Sequence, residues 1–228
     1  MRPLSFTVRR PRVSLASALQ VVFGTQALFV PPSSHNVRGD LRFREFLPND
    51  REACLRIYRE NAPSLFPDGV LPLFENFIAR QDYFKLVCCK GDDIAAVGGI
   101  GVIPGLMALQ AWLVFGLVAP SYQGQGIGTT LLLARLAALP VPSRPTRLLL
   151  SNVAGSVGFF ARFGFRLQGQ MAVPPTRQHI DVCAAMLNAD AWATCRQLVA
   201  DVGIDFPKVS VPTIDRDARS PNNRWRGP

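Results

Sequence analysis

The pattern of apolar and polar positions becomes regular at residue 41. Leu41–Leu47 alternates between apolar and polar side chains, which predicts a half-buried strand. Pro48-Asn49-Asp50 follows and supplies a turn and a helix N-cap, and the next apolar residues recur at helical spacing as far as Tyr58. Two prolines predict a loop over Asn61–Gly69, and a short helix over Leu71–Arg80 comes after it.

The rest of the chain alternates between strand-like and helix-like stretches. A hairpin is predicted around the turn Gly91-Asp92-Asp93, and Ala108–Val118 forms a long apolar strand. Gly126–Leu139 is helical, with one buried face formed by Leu131, Leu132, Arg135, Leu136 and Leu139. The other predicted strands are Tyr83–Cys89, Ile94–Ile103, Arg147–Ser151, Phe165–Gln170 and Ile180–Leu187, and the other helices are Ser156–Phe163 and Asp190–Val202. This order indicates an α/β (α+β) fold.

The two ends of the chain differ from this middle part. Residues 1–39 contain five Arg and no acid, so a targeting segment, a disordered arm and sequence upstream of the true start compete as interpretations. We favour the last two and expect a chain that begins near Val37 to fold. Phe206–Pro228 contains four prolines and few apolar residues, which predicts no regular structure. The expected division is an N-terminal extension at 1–39, a domain at 40–188, and a C-terminal helix with a disordered tail at 189–228.

Composition excludes several classes of protein. The 228 residues are 48% hydrophobic and 18% charged, which is enough apolar material for one sizeable core. No apolar run clearly reaches the ~20 residues of a membrane helix. The five cysteines form no C-x-x-C pair and the chain has two histidines, which argues against a zinc site and a disulfide scaffold. We therefore expect a cytoplasmic protein with no metal and no membrane attachment.

The segment Gln123–Gly128 combines glycines with a strand-to-helix junction. The first turn of a helix has backbone N–H groups without intrahelical partners, and glycines let a phosphate approach them closely. A dinucleotide fingerprint would need Gly or Ala where Thr129 stands, together with an acid further along, yet Ile94–Ile180 contains no Asp or Glu. No Lys follows a glycine here, so a P-loop is excluded as well. The segment predicts an anion site of another kind.

Gln123, Gly126 and Gly128 match the spacing Q/R-x-x-G-x-G/A, and at this point the chain resembles the GCN5-related N-acetyltransferases, the GNAT family. A second stretch is similar to that family's other signature, through Asn152, Ser156, Phe159-Phe160 and Gly164-Phe165. The resemblance covers roughly Leu41–Leu187. It implies a mixed, mostly antiparallel sheet of about six to seven strands with about four helices, and a splayed strand pair at an acetyl-CoA site.

The resemblance also implies roles for individual residues. The backbone N–H of Val118 would bind the thioester carbonyl and act as the oxyanion donor. The implied cofactor-binding residues are Leu117, Val118, Ala119, Gln123, Gly124, Gln125, Gly126, Ile127, Gly128, Thr129, Asn152, Ser156 and Phe160. Relatives often carry a Glu on the hairpin or long strand and a Tyr at position 160, and this chain has neither. The general base and acid therefore stay open among Glu45, Glu60, Asp82, His179 and Tyr122.

The function that this resemblance implies is transfer of an acetyl group from acetyl-CoA to a small-molecule amine or a peptide N-terminus, by direct attack in a ternary complex. The acceptor would lie between the Asn61–Gly69 loop and the Met171–His179 connection. The alternative is a CoA-binding regulatory module that has lost proton handling. The net charge of +9 raises nucleic-acid binding, but the basic residues are not clustered with aromatics and we expect no nucleic-acid partner. A homodimer is compatible with the family.

Overall fold

The computed structural model describes residues 27–34, 40–66, 69–104, 109–152, 156–173, 178–200 and 202–205. The strands are β1 Leu41–Glu45, β2 Phe84–Lys90, β3 Asp93–Pro104, β4 Leu109–Val118, β5 Thr146–Asn152, β6 Arg166–Val173, β7 Gln178–Leu187 and β8 Gly203–Asp205. The helices are α1 Arg51–Leu65, α2 Leu71–Ala79, α3 Ile127–Ala138, α4 Val157–Ala161 and α5 Ala189–Leu198. Short 3₁₀ turns precede α1 and α3 at Pro48–Asp50 and Pro120–Tyr122.

All eight strands lie in one sheet, in the order β6-β7-β5-β4-β3-β2-β1-β8. The β4–β5 and β1–β8 pairs are parallel, and the other neighbours are antiparallel. Because successive strand residues point to opposite faces, the sheet separates two cores. Leu86 and Cys88 of β2 pack in the core with α3 and α5, whereas Val87 and Cys89 pack with α1 and α2. The expected mixed, mostly antiparallel sheet is confirmed.

Two of the differences from the sequence prediction concern α1 and β8. The expected loop over Asn61–Gly69 is wrong in its first part, because α1 continues to Leu65. The buried Asn61 side chain donates from Nδ2 to the carbonyl oxygen of Ile57 one turn earlier, at 2.8 Å, which supports this last stretch of helix. The strand β8 was not predicted, and it brings the sheet to eight strands by pairing with β1. Three residues are too few to show a period, so the local pattern gives no signal for β8.

The end of the N-terminal extension packs against the domain. Phe29 is 2% exposed and lies in the core on the α3 side of the sheet. Its N–H donates to the carbonyl oxygen of Met186 at 2.8 Å, and the N–H of Val30 donates to Phe163 at 3.0 Å. The structure therefore differs from the expected extension over 1–39 at residues 27–30, which pack against the domain, and whether the segment is dispensable stays a prediction. Residues 1–26 and 35–39 of that extension lie outside the described residues.

The strand β4 is irregular where it leaves β5. Gln110–Leu113 pairs with β5, whereas Val114 and Phe115 have no partner among the described residues of β5, so the two strands diverge from that point. Its register with β3 shifts between Val97 and Gly99, and Phe115 takes a φ of 45°. A positive φ is strained for a phenylalanine. The ring of Phe115 packs against Phe74 at 5.1 Å between centroids, and this contact anchors the strained residue.

Candidate functional site

The loop between β4 and α3 forms a glycine turn at the mouth of the divergence. Gly124 has φ 72° and Gly126 has φ 82°, both in the left-handed region that favours glycine. Gly126 is the N-cap of α3, and the first intrahelical bond runs from the N–H of Thr130 to its carbonyl at 3.1 Å. The N–H groups of Ile127, Gly128 and Thr129 precede that bond. They are therefore available to an anion at the positive end of the helix dipole.

A cleft of about 390 Å³ lies in front of this turn. Its lining residues are Val118, Gln123, Gly124, Gly126, Gly128, Thr129, Phe159 and Arg162. They come from the end of β4, the glycine turn, the first turn of α3 and the short helix α4. The centre of the Arg162 guanidinium lies 5.2 Å from the centroid of the Phe159 ring. Among its described lining residues, the cleft therefore joins a set of backbone donors to one exposed cation, Arg162, and none of these residues carries a carboxylate.

Six of the residues expected at the cofactor site line this cleft: Val118, Gln123, Gly124, Gly126, Gly128 and Thr129. Leu117, Ala119 and Ile127 are buried in the two cores, so only their backbone groups are left for a ligand. The side chain of Gln125 accepts from Lys90 Nζ at 3.3 Å and donates to the carbonyl of Ser121 at 3.1 Å.

The second signature reaches the cleft through other residues than expected. Phe160, which we expected at the cofactor, packs against Phe165 at 5.7 Å between ring centroids and is not a lining residue. Phe159 and Arg162 line the cleft instead, although the sequence argument did not select them. Ser156 stands at the N-cap position of α4, and Asn152 ends β5. The side chain of Asn152 lies outside the described part of the chain.

Gln123 connects the glycine turn to helix α1. Its Nε2 donates to Asn61 Oδ1 at 3.0 Å and to the Val118 carbonyl at 3.1 Å. Asn61 also donates from Nδ2 to that same carbonyl at 3.1 Å. Sequence reasoning missed Asn61 because it placed the residue in a loop. The end of β4, the turn and α1 are thus connected by one group of hydrogen bonds, in which Asn61 is buried and Gln123 is exposed.

The backbone orientation at the end of β4 follows from one hydrogen bond to β3. The N–H of Ala119 donates to the carbonyl of Ala95 in β3 at 2.9 Å. The carbonyl of Val118, which belongs to the same peptide group as this N–H, therefore points away from β3. In an extended strand the N–H and C=O of one residue point to the same side. The N–H of Val118 therefore points away from β3, toward the side of β4 on which β5 lies. This is the orientation needed to donate to a ligand inside the divergence.

The five proton-transfer candidates lie away from the cleft lining. Glu45, Glu60 and His179 are exposed. Asp82 pairs with Arg80, whose hydrogen bonds hold the pKa of that carboxyl below its usual value. Tyr122 donates from its hydroxyl to Asp93 at 3.1 Å, and this hydrogen bond raises the pKa of Tyr122. Among the described residues that form the cleft, none is Asp, Glu, His or Tyr.

The part of the chain that the structure describes holds no group of three or more His, Cys, Asp and Glu side chains that could bind a metal ion. Within the same residues, no helix is both long enough and apolar enough to span a bilayer.

Several solved structures have a similar fold. A GNAT-family protein from Desulfovibrio desulfuricans gives a TM-score of 0.52 at 19% identity, over 64% of this chain and 98% of its own. The ribosomal-protein-S18-alanine N-acetyltransferase of Escherichia coli gives 0.48 at 19% identity, over 65% and 94%. Naa50 of Arabidopsis thaliana, bound to a bisubstrate analogue, gives 0.48 at 13% identity, over 64% and 97%. At these identities the likeness concerns the fold alone.

No curated protein matches this chain. A family model does: the acetyltransferase (GNAT) family model matches residues 51–165, which is just over half of the chain. This stretch runs from the start of α1 to the residue before β6 and includes both signature segments and the cleft between them. The chain is a member of the GNAT family of acetyltransferases.

Proposed function

We propose that this protein is an acyl-CoA-dependent N-acyltransferase that transfers an acyl group, acetyl being the simplest, to a primary amine. The observation that carries the proposal is the glycine turn that opens α3 beside the unpaired edge of Val118. A CoA diphosphate over this turn accepts hydrogen bonds from the first N–H groups of the helix. Its pantetheine arm then lies along β4, in the place that β5 would fill in a regular sheet.

The oxyanion donor in this mechanism is the N–H of Val118. When the amine attacks the thioester carbon, negative charge develops on the carbonyl oxygen, and a fixed backbone donor stabilises it without reorganisation. The carbonyl of Val118 is already held by Asn61 and Gln123, which fixes the peptide unit that follows. The amine nitrogen forms the new C–N bond, and the C–S bond breaks as CoA leaves.

None of the described residues that line the cleft has a side chain suited to proton transfer at neutral pH. A CoA thiol is acidic enough to leave as a thiolate, so a strong acid is not required, and orientation of the reactants supplies much of the rate. The proton of the attacking amine passes to water, because no acidic or basic side chain lines the described cleft apart from the cation Arg162. We expect the rate to rise with pH as the acceptor amine loses its proton.

The cleft also attracts anions in general. The stretch from Ile94 to Ile180 contains no Asp or Glu, so a polyanionic cofactor meets no carboxylate repulsion from it. Arg162 adds an exposed positive charge at the wall opposite the glycine turn. We propose acetyl-CoA as a co-substrate and a small-molecule amine or a peptide N-terminus as the acceptor, which approaches from the side of α1 and α2.

The second candidate is a CoA-binding regulatory module without turnover. The cleft lining favours it in one respect, because it offers neither a carboxylate nor a hydroxyl from Tyr for proton transfer. Release of free thiol from acetyl-CoA, measured with a panel of amines and peptides, separates the two candidates. Amine-dependent release supports the transferase, and tight CoA binding with no release for any acceptor supports the module.

The site itself is tested with a matched pair of variants at Gly126. Asp and Asn have the same shape and both tolerate a left-handed backbone better than other residues, but only Asp adds a negative charge. We expect Gly126→Asp to weaken CoA binding by about 100-fold or more, through repulsion of the diphosphate, and Gly126→Asn to weaken it far less. Calorimetric titration measures both. Equal affinities for the wild type and Gly126→Asp would place the cofactor elsewhere.

A further inference from the structure

Arg135 is the most buried charged residue in the described part of the chain. It lies on α3 and is 3% exposed, and the other buried side chains of this helix are apolar except for Thr130. Burial lowers the pKa of Arg135 to about 10, so the guanidinium is still protonated at neutral pH. Within the described residues, no carboxylate lies within ion-pair distance of it. A buried cation without a counter-charge is costly, so its presence calls for an anion.

Two glycines make room for this guanidinium under the irregular part of the sheet. A Cβ atom added to Gly116 of β4 would lie 2.8 Å from Nη2 of Arg135, which is too close for any real contact. A Cβ added to Gly98 of β3 would lie 3.3 Å from Cδ of the same side chain. Both glycines sit where the β3–β4 register shifts. The register shift between β3 and β4 and the Arg135 side chain therefore lie at the same place in the sheet.

The terminal nitrogens of Arg135 lie beside Gly116, beyond the last residue of β4 that pairs with β5. The hydrogen bond of this side chain within the described residues runs from Nε to the Leu131 carbonyl at 3.4 Å. In that same part of the chain, no fully buried side-chain nitrogen or oxygen lacks a hydrogen-bond partner. The small exposed fraction of Arg135 therefore lies on Nη1 and Nη2. Gly116 next to them is itself exposed.

The Arg135 guanidinium lies further along β4 than the cofactor cleft, on the same side of the strand. Helix α3 runs antiparallel to β4. Near its start, a Cβ atom added to Gly128 would lie 3.8 Å from Cγ2 of Val118, and further along the helix Arg135 lies against Gly116. Val118 lines the cleft, and Gly116 lies two residues deeper along the strand, about 7 Å away. A thioester held at Val118, with its diphosphate at the start of α3, directs its acyl group toward Arg135.

We propose that Arg135 is a specificity-determining residue that binds a carboxylate at the far end of the acyl group, so that the preferred donor is a CoA thioester of a short dicarboxylic acid such as malonyl- or succinyl-CoA. This rests on the proposed function. The carboxylate takes no part in the reaction: the amine nitrogen bonds to the thioester carbon, the C–S bond breaks, CoA leaves as thiolate, and the proton from nitrogen passes to water. The product is an amide that keeps the free carboxylate.

The test compares two stable CoA thioethers of equal length, and it needs no acceptor. S-(2-carboxyethyl)-CoA carries the carboxylate, and S-propyl-CoA is its neutral match. For the wild-type chain we expect the carboxyethyl compound to bind about 10- to 100-fold more tightly, as for a charged hydrogen bond. In Arg135→Met we expect this difference to vanish while the affinity for S-propyl-CoA changes little, because an apolar side chain of similar length replaces a buried cation without loss of stability.

A second variant keeps the positive charge of Arg135 and displaces its guanidinium group. Gly116→Ala places a methyl group against Nη2 and should also abolish the preference, provided that thermal unfolding shows a folded protein. Equal affinities of the wild type for the two thioethers, or a preference that persists in Arg135→Met, would overturn the inference. If neither thioether nor CoA binds to the wild type, the proposed function fails as well. Binding of both without a preference leaves the cofactor site standing and removes the role of Arg135.

Discussion

Two aromatic clusters flank the cleft, and they are built differently. The β4 cluster consists of Tyr58, Phe66, Phe74, Phe77 and Phe115 on the α1–α2 side of the sheet. The α4 cluster consists of Phe29, Phe159, Phe160, Phe163 and Phe165. All members of the first lie within the stretch that matches the family model, whereas the second takes Phe29 from outside it.

The two clusters hold the two walls of the cleft, which are β4 on one side and α4 on the other, through different contacts. In the β4 cluster the fully buried Phe74 stacks on Tyr58 at 4.8 Å and meets Phe115 edge-on at 5.1 Å, so it fixes the strained backbone of the strand. In the α4 cluster, Phe29 stacks on Phe163 at 6.0 Å beneath a helix of five residues. So short a helix has little stability of its own and depends on such contacts. One wall is therefore held by the domain itself and the other by its N-terminal segment.

The largest effect is expected from breaking the β4 cluster at its centre. Phe74→Ala should lower the free energy of unfolding by about 3–5 kcal/mol, because it removes a fully buried ring and leaves a cavity. Urea denaturation measures the loss. The half-buried Phe66 supplies the control, and Phe66→Ala should be less destabilising. A loss below about 1 kcal/mol for Phe74→Ala would show that the remaining rings collapse into the space, and that they do not hold β4 rigidly.

Breaking the α4 cluster should have a somewhat smaller effect on stability and an added effect on binding. Phe29→Ala removes the ring beneath Phe163, and we expect a loss of about 3 kcal/mol. Because α4 carries two cleft residues, CoA affinity should fall as well. Leu28→Ala is the control, since that side chain is 55% exposed.

A chain that begins at residue 27, compared with one that begins at residue 37, tests the same segment without a substitution. The longer chain should unfold at the higher temperature, because it keeps the backbone hydrogen bonds to Met186 and Phe163. Equal melting temperatures and equal CoA affinities would mean that α4 needs no support from this segment.

The smallest effect is expected from a conservative change within the α4 cluster. Phe160→Tyr adds a hydroxyl to a ring that packs between Phe159 and Phe165. We expect a loss of about 1 kcal/mol, from partial burial of an unpaired hydroxyl, and no gain in turnover. A higher turnover number or a shifted pH profile would show that position 160 reaches the leaving sulfur, and would give the α4 cluster a chemical role beside its structural one.

Much of this architecture is present in local sequence patterns. Alternation and helical spacing predicted the first seven strands and the five helices, because each buries one face against the sheet. The extension of α1 through Asn61 depends on contacts of that side chain with Ile57 and Val118, which no local pattern contains. For the same reason β8 was missed: its three residues are ordered by pairing with β1.

The site was predictable where it depends on spacing and not where it depends on packing. The glycines at 124, 126 and 128 follow from the backbone that an anion requires, so the motif located the turn. Phe159 and Phe160 are neighbours in sequence, and only the packing of α4 decides which one faces the cleft. Arg135 does carry a sequence signal, since it stands among leucines on the buried face of α3, but its surroundings come from glycines on other strands.

The pairing of β1 with β8 has a consequence for the order of folding during synthesis. The first strand of the domain is completed on one side by the last described strand, and the contacts of the final helix with α3 form equally late. While the C-terminal part is still inside the ribosome, the N-terminal part leaves one edge of β1 open, with backbone donors and acceptors unpaired. The nascent domain is then at its most vulnerable to pairing with other chains, and the emergence of β8 closes that edge.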